Sequence, residues 1–415
     1  MSNPSIRKIS NFFSRNKSII AWSFYDFANT SFSIVVVTFV YAIYFKEIVC
    51  SNLPIGDFYW SLGTAISMLI TAIISPILGA IADYNSGKKR FLFIFTLICV
   101  ISTSLLTNIH RGDIFLGLLF FIIANIGFEA GLVFYDAFLP EITTPKNFGR
   151  VSGYGYALGY LGSFISLIFT FYLIQLNKIN LTFLISSIFF LTFSLPLFII
   201  IKEKNKKNSS KTSLINIGIN RVIVTIKNLK YLKNLSLFLL SFFFFIEGVN
   251  TVIYFVGNFA QSTLHFTKLE LLYFFLITQL TALLGAVVFG ILADNIGKKK
   301  TLLITLFIWL IVILAVFLSQ DIKIFYLIGS IAGSVMGATQ SVSRSLMSSL
   351  VPDDKKTEFF GFYSFFGKSS AIIGPLTFGY ISYITKSQRL AILSLLFFFI
   401  IGTIILFFVK EKNNN

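Results

Sequence analysis

The sequence predicts an all-α integral membrane protein with twelve transmembrane helices in two six-helix bundles. Three observations predict it. The chain of 415 residues is 56% hydrophobic and 12% charged, with a mean hydropathy of +0.83, where a soluble domain carries roughly 25% charged residues. Apolar runs of roughly 20 residues, enough to cross a bilayer as a helix, recur along its whole length. The positive charge is concentrated between alternate runs.

The runs cover residues 19–45, 58–82, 91–109, 114–138, 151–176, 181–201, 235–260, 269–293, 301–319, 323–349, 359–384 and 389–409. Most connections are short and polar, as in His110-Arg111-Gly112-Asp113 or Gln320-Asp321. The chain then divides into a tail (1–18), a first bundle (19–201), a linker (202–234), a second bundle (235–409) and a tail (410–415). The linker opens with Lys202-Glu203-Lys204-Asn205-Lys206-Lys207 and a Ser/Asn stretch. From Ile215 to Leu235 its apolar residues recur at near-helical spacing, with Arg221, Lys227, Lys230 and Lys233 interleaved. Two readings are open: an amphipathic helix on anionic headgroups, or a solvated linker with some helix. The first run is too long for a signal-peptide core, carries Asp26 and lacks a small-x-small cleavage site, so it reads as a retained span. Cys50 and Cys99 do not make a disulfide framework or metal site, and no cofactor is expected.

The formal net charge is +17, which by itself would suggest nucleic acid. So greasy a chain argues against that, because a soluble fold could not keep this much apolar surface from water. Lys and Arg accumulate in cytoplasmic loops. With the N-terminus inside, 25 of the 34 basic residues fall on the inner side, 7 outside, and Arg344 and Lys368 within spans. Both termini are expected in the cytoplasm, with a bacterial inner membrane as the location.

The two halves echo each other. Gly79-Ala-Ile-Ala-Asp83-Tyr-Asn-Ser-Gly87-Lys-Lys-Arg90 follows the second span, and Gly290-Ile-Leu-Ala-Asp294-Asn-Ile-Gly297-Lys-Lys-Lys300 follows the eighth. Phe24-Tyr-Asp26-Phe-Ala-Asn29-Thr30 is matched by Phe245-Ile-Glu247-Gly-Val-Asn250-Thr251. Pro140 precedes Gly149 by nine residues, as Pro352 precedes Gly361. Parallel six-helix repeats of this kind, with two loops of the G-x-x-x-D-x-x-G-[KR]-[KR] type, the first with one extra residue between Asp and Gly, resemble the major facilitator superfamily. In that superfamily the loop helps latch the halves in one state of the cycle, which makes Asp83, Gly87, Asp294 and Gly297 candidate gating residues. Physically, the Gly permits a tight turn and the Asp can accept N–H bonds at a neighbouring helix start.

A narrower resemblance is carried by Trp22-Ser-Phe-Tyr-Asp26-Phe-Ala-Asn29, Glu129-Ala-Gly-Leu-Val-Phe-Tyr-Asp136-Ala-Phe-Leu-Pro140-Glu141, Gly153-Tyr-Gly-Tyr-Ala-Leu-Gly159-Tyr-Leu-Gly162, Gln340-Ser-Val-Ser-Arg344 and Gly367-Lys368-Ser-Ser-Ala-Ile-Ile-Gly374-Pro375. Together these resemble the vacuole-effluxer-like branch, whose named member is the fungal autophagy-related vacuolar amino-acid exporter. The resemblance runs from about residue 20 to 380. Asp136 departs from it, because Asn is commoner there.

An ionisable residue at membrane depth is costly and therefore a functional candidate. Six lie well inside spans: Asp26, Glu129, Asp136, Glu247, Arg344 and Lys368. They fall on the first, fourth, seventh and tenth spans, plus Lys368 on the eleventh; the resemblance implies that the first four line a central cavity. Asp26 with Asn29, and Glu247 with Asn250, are three residues apart and can present a carboxylate and an amide to one space. Asp136 lies near the inner end of its span, as Arg344 does, so the two could pair across a gate. The bland alternative is structural ion pairing, for example Asp26 with Lys368. Tyr25, Tyr135, Tyr154 and Tyr156 are candidate cavity residues. Glu129 and Glu247 are candidates for carrying a transported proton. A zwitterion needs an anionic and a cationic partner, and Asp26/Glu247 with Arg344/Lys368 supply both.

The expectation is a secondary active transporter moving a small polar metabolite, with amino acids the class the resemblance implies, by alternating access. It is driven by ions or protons or acts in efflux, touches anionic lipids, binds no nucleic acid and works as a monomer. No nucleophile–base or metal-ligand constellation suggests an enzyme. The competing reading is a non-transporting receptor or scaffold on the same fold.

Overall fold

The computed structural model describes residues 16–53, 55–85, 87–203, 214–228 and 231–411. The tail before residue 16 and the Lys204–Lys207 portion of the linker's basic run lie outside the described residues. Among the described residues there are thirteen long helices: α1 (Lys17–Val49), α2 (Ile55–Asn85), α3 (Lys88–Leu105), α4 (Ile114–Asp136), α5 (Phe148–Gln175), α6 (Ile179–Ile200), α7 (Leu214–Asn228), α8 (Lys233–Thr263), α9 (Lys268–Ile296), α10 (Lys298–Leu318), α11 (Ile322–Leu350), α12 (Lys356–Thr385) and α13 (Gln388–Phe407). No strand occurs among the described residues.

Every backbone polar group must be satisfied internally in hydrocarbon, and helices do this segment by segment. Eleven of the helices are long and apolar enough to span a membrane. The twelfth spanning element, α12, is 30 residues long; its middle carries Lys368, Ser369 and Ser370, which lower its apolar character. The remaining helix, α7, is the linker's amphipathic stretch. In the first half α1 packs on α5 and α6, and α4 on α2 and α3; in the second half α8 packs on α12 and α13, and α11 on α9 and α10. The halves meet through α2 against α12 and α5 against α9.

Glycine makes those two crossings close. A Cβ on Gly149 would lie 2.3 Å from the Gly290 carbonyl oxygen, and one on Gly361 would lie 2.5 Å from that of Ser75. Gly290 and Gly79 open the two signature copies, and a Cβ on Gly79 would lie 2.3 Å from the Thr357 carbonyl oxygen. The repeated elements of one half therefore touch repeated elements of the other. These crossings lie at the end of the bundle that carries the basic loops, hereafter the basic end.

α1 is not uniformly α-helical. Ser33–Phe39 and Phe45–Val49 are π-helical, a widened turn often found at functional sites. Ser33 and Thr38 from the first of these face the central cavity.

Candidate functional site

A cavity of about 360 Å³ lies between the halves. Its polar lining includes Asp26, Asn29, Asp136, Tyr156, Tyr160, Asn250, Gln279, Gln340, Arg344 and Lys368. Helices α1, α4, α5, α8, α9, α11 and α12 contribute.

Arg344, buried on α11, is the centre of the basic-end floor. Its Nη1 donates to Asp26 Oδ2 at 3.1 Å and to Asp136 Oδ1 at 3.0 Å. Its Nε donates to Ser152 Oγ, and its Nη2 to the Ser152 carbonyl oxygen, each at 2.9 Å. Aromatic faces enclose the guanidinium: its carbon is 4.1 Å from the Tyr156 ring centroid, 4.6 Å from Trp22 and 5.5 Å from Tyr135. Trp22 and Tyr135 stack at 4.6 Å, and the indole N–H donates to the Tyr135 carbonyl. Gly155 leaves the room, since a Cβ there would lie 2.7 Å from Asp26 Oδ2 and 2.8 Å from Arg344 Nη2. All these partners belong to the first half, so a single arginine of the second half is held by an acid-and-aromatic box of the first.

A second cross-half pair joins Lys368 on α12 to Glu129 on α4. Glu129 is buried behind the wall while Lys368 faces the cavity. The pairing of Asp26 with Lys368 considered from the sequence is replaced by Asp26–Arg344 and Glu129–Lys368. The resulting division is one-sided: three carboxylates come from the first half and two cations from the second.

Glu247 and Asn250 do not share a space. Asn250 lines the cavity; Glu247 turns into the interior of the second half, where one oxygen accepts the Gly374 N–H. Gly374 has no side chain to exclude it: a Cβ there would overlap Thr251 Oγ1 and Glu247 Oε1. Three residues separate two side chains by about 60° around a helix, enough to split them at the edge of the cavity. Among the four tyrosines singled out, Tyr156 lines the cavity, Tyr25 and Tyr135 are buried in the stack behind Trp22, and Tyr154 is exposed on the outer surface.

The basic end is held by carboxylates placed at helix starts, where unpaired N–H groups and the helix dipole favour negative charge. Asp83 accepts from Thr357 N (3.1 Å) and Glu358 N (2.8 Å) at the start of α12. Asp294 accepts from Gly149 N (2.8 Å) and Arg150 N (2.9 Å) at the start of α5, and from Arg150 Nε at 3.0 Å. Each crosses between halves. Two glutamates repeat the pattern within a half. Glu203 accepts from Lys88 N and Lys89 N at 2.8 and 3.0 Å, and Glu411 from Lys298 N and Lys299 N, both at 3.0 Å. Burial pushes the Glu203 carboxyl above the usual carboxylate range, against the pull of its two N–H donors.

Gly297 has φ +103°, which favours glycine, but Gly87 has φ −104°, open to any residue. The first copy has one more residue between Asp and Gly, which relaxes the turn. The lysines following each Gly point partly inward: Lys88 Nζ donates to Glu141 Oε1 at 2.6 Å, and Lys298 Nζ to the Pro145 carbonyl at 3.1 Å. Arg90 and Lys300 are the exposed members of the two clusters.

The sequence model of the family described as "Vacuole effluxer Atg22 like" matches residues 59–415. The chain belongs to this family. It is 33% identical over 408 residues, 95% of each chain, to an uncharacterized MFS-type transporter YxiO of Bacillus subtilis. It is 23% identical over 350 residues to autophagy-related protein 22 of Kluyveromyces lactis, covering 76% of this chain and 71% of that one. Two solved structures share the fold. The human organic anion transporter MFSD10 has a TM-score of 0.76 at 11% identity, over 95% of this chain and 99% of that one. The proton:xylose symporter XylE of the major facilitator superfamily has a TM-score of 0.73 at 15% identity, over 97% and 96%. The protein is thus a multi-pass membrane protein with the major facilitator fold.

Among the cavity's neutral polar groups the sequence pointed to Asn29, Asn250 and Tyr156 but not to the roles of Tyr160, Gln279 and Gln340. Tyr160 donates to Gln340 Oε1 at 2.6 Å across the halves. Gln340 sits four residues before Arg344, a helix-face spacing that could have singled it out. Sequence reading also passed over the repeat Ile201-Lys202-Glu203-Lys204 and Val409-Lys410-Glu411-Lys412, which marks the two capping glutamates.

Proposed function

We propose that the protein is a secondary transporter for a small zwitterionic metabolite of the amino-acid class, with the basic end facing the cytoplasm of a bacterial cell. The observation that carries this is the division of charge across the cavity, acids on the first half and cations on the second. A zwitterion inserted between Asp26 or Asp136 and Lys368 or Arg344 exchanges each cross-half ion pair for two pairs with itself. Its ammonium takes a carboxylate and its carboxylate takes a cation, so no charge is left uncompensated in low dielectric. The halves are then free to rock about the site. A cavity of about 360 Å³ falls at the small end of ligand pockets, roughly 300–1,000 Å³, which fits a metabolite of this size. The hydrogen bonds linking the halves draw on the basic-end portions of the helices, up to Tyr160 and Lys368, which supports an outward-facing state.

The same cluster supports proton coupling. Asp26, Asp136 and Glu129 outnumber Arg344 and Lys368 by one, and a single proton balances the closed cluster. Asp26 and Asp136 share one guanidinium nitrogen, which makes this pair the proposed site of coupling. No group of three or more His, Cys, Asp or Glu among the described residues is arranged to hold a metal ion instead.

The test is uptake of labelled amino acids into proteoliposomes, with and without a pH gradient. Saturable uptake of a zwitterion, absent for the matching amine that lacks the carboxylate, supports the reading. Asp136→Asn is expected to abolish the response to the gradient. Uptake of no zwitterion, or equal uptake of the amine, contradicts it.

A further inference from the structure

The linker helix α7 is tied to the gate. Gly218 packs on α2, where a Cβ would lie 2.8 Å from Ile81 Cγ1 and 3.0 Å from the Ile77 carbonyl oxygen. Arg221 Nε is 3.5 Å from Glu358 Oε2 at the start of α12, and Lys355 Nζ donates to Thr225 Oγ1 at 2.9 Å. α2 belongs to the first half and α12 to the second, so α7 bridges the halves beside the Asp83 cap. Glu358 is fully buried, and among the described residues no hydrogen bond satisfies either of its carboxylate oxygens, while Arg221 pairs with it.

At 100° per residue the helix shows three arcs. Gly218 and Thr225 are buried against the protein, with Arg221 and Val222 on either side. Next to them runs an exposed apolar arc of Ile215, Ile219, Ile223 and Ile226, up to 61% exposed at Ile215. Beyond it lie Asn216, Asn220 and Lys227, all exposed. A helix lying flat at the edge of a membrane protein needs this arrangement: one side on the protein, the next on acyl chains, the third in water. Exposed Lys227 lies in its last turn and exposed Lys233 opens α8 just beyond it, where basic groups meet anionic headgroups.

We propose that α7 is a membrane-seated clamp. Its isoleucine arc occupies the headgroup–acyl boundary of the leaflet at the basic end, its lysines engage anionic lipid, and the seated helix stabilises the closed basic end through Arg221 and Lys355. This does not depend on which substrate is carried.

The test uses the full-length protein in nanodiscs of phosphatidylcholine, with or without phosphatidylglycerol. Single spin labels at Ile219→Cys, Ile223→Cys and Asn220→Cys, in a Cys50→Ser/Cys99→Ser background, report collision with oxygen and with a water-soluble nickel complex. The isoleucine positions are expected to be oxygen-accessible and shielded from nickel, and the asparagine position the reverse. Lys227→Gln with Lys233→Gln should reduce the preference for phosphatidylglycerol, by about fivefold for each basic residue. A second pair of labels, at Lys146→Cys and Asp354→Cys on opposite halves, should report a larger closed population with phosphatidylglycerol than without, and a smaller one in Arg221→Gln. Nickel accessibility at Ile219 and Ile223 equal to that at Asn220 overturns the membrane seat. A closed population indifferent to lipid and to Arg221→Gln overturns the clamp.

Discussion

The two halves agree at the basic end and differ in the cavity. At the basic end Asp83 mirrors Asp294, Glu203 mirrors Glu411, and the glycine crossing of α2 on α12 mirrors that of α5 on α9. At the cavity the first half supplies Asp26 and Asp136, with Glu129 just behind the wall, and the second supplies Arg344 and Lys368. Even the matched pair from the internal repeat, Asp26 and Glu247, differs in use, since one meets a cation across the cavity and the other is sequestered against Gly374. Symmetry therefore accompanies the helix caps and crossings of the basic end, and its loss accompanies the charges at the cavity. The same carboxylate cap can serve both halves, but the proposed zwitterion has two different ends.

The largest way to break this comparison is at Arg344. Arg344→Gln leaves Asp26 and Asp136 facing each other without their cation, and breaking a buried pair from one side costs about 3–5 kcal/mol. Uptake should be lost and the melting temperature in detergent should fall clearly. Lys368→Met should also abolish uptake but lower the melting temperature less, because Lys368 is partly exposed and has one acidic partner. An active Arg344→Gln protein would show that the asymmetric cluster is not the site.

Next come the symmetric crossings. Gly149→Ala and Gly361→Ala each force a methyl group against a carbonyl oxygen of the other half. Overpacking of this kind costs about 1–3 kcal/mol, and only the state closed at the basic end pays it. Both variants should shift the same way in an inter-half distance measurement; a shift in one alone breaks the symmetry. The caps should act more weakly. Asp83→Asn and Asp294→Asn each remove a charge from a helix start, about 1 kcal/mol, or roughly fivefold in the closed-to-open ratio. Asp294→Asn should be slightly the larger, because Arg150 is lost as well. Smallest is Glu247→Gln, an isosteric change outside the cavity lining, which should leave substrate uptake within about twofold. A large loss there would return Glu247 to the site.

Much of this was legible in the sequence, for physical reasons that differ by level. Spans could be read because the bilayer imposes length and apolarity, and the one helix that falls short, α12, does so because it carries Lys368 with Ser369 and Ser370. Buried charges could be located because each breaks an otherwise apolar run. Their partners could be read only in part: the inner-end positions of Asp136 and Arg344 pointed to that pair, but helical spacing places Asp26 and Lys368 near the cavity equally well with either partner, and only packing decides that Arg344 also reaches Asp26. Gln340 and Tyr160 stayed hidden because neutral polar residues do not disturb a hydrophobic run. Glu203 and Glu411 stayed hidden because loop carboxylates beside lysines look like solvated charge until the helix starts they cap are placed.

The most direct test is the distance between spin labels at Lys146→Cys and Asp354→Cys across the basic end, with Cys50 and Cys99 replaced by serine, before and after adding a zwitterion that the protein takes up. A predominantly short distance without it, a larger share of a longer distance with it, and no such increase with the matching amine are the results expected if the zwitterion displaces the cross-half ion pairs. An unchanged distribution in the presence of a transported zwitterion would contradict the account.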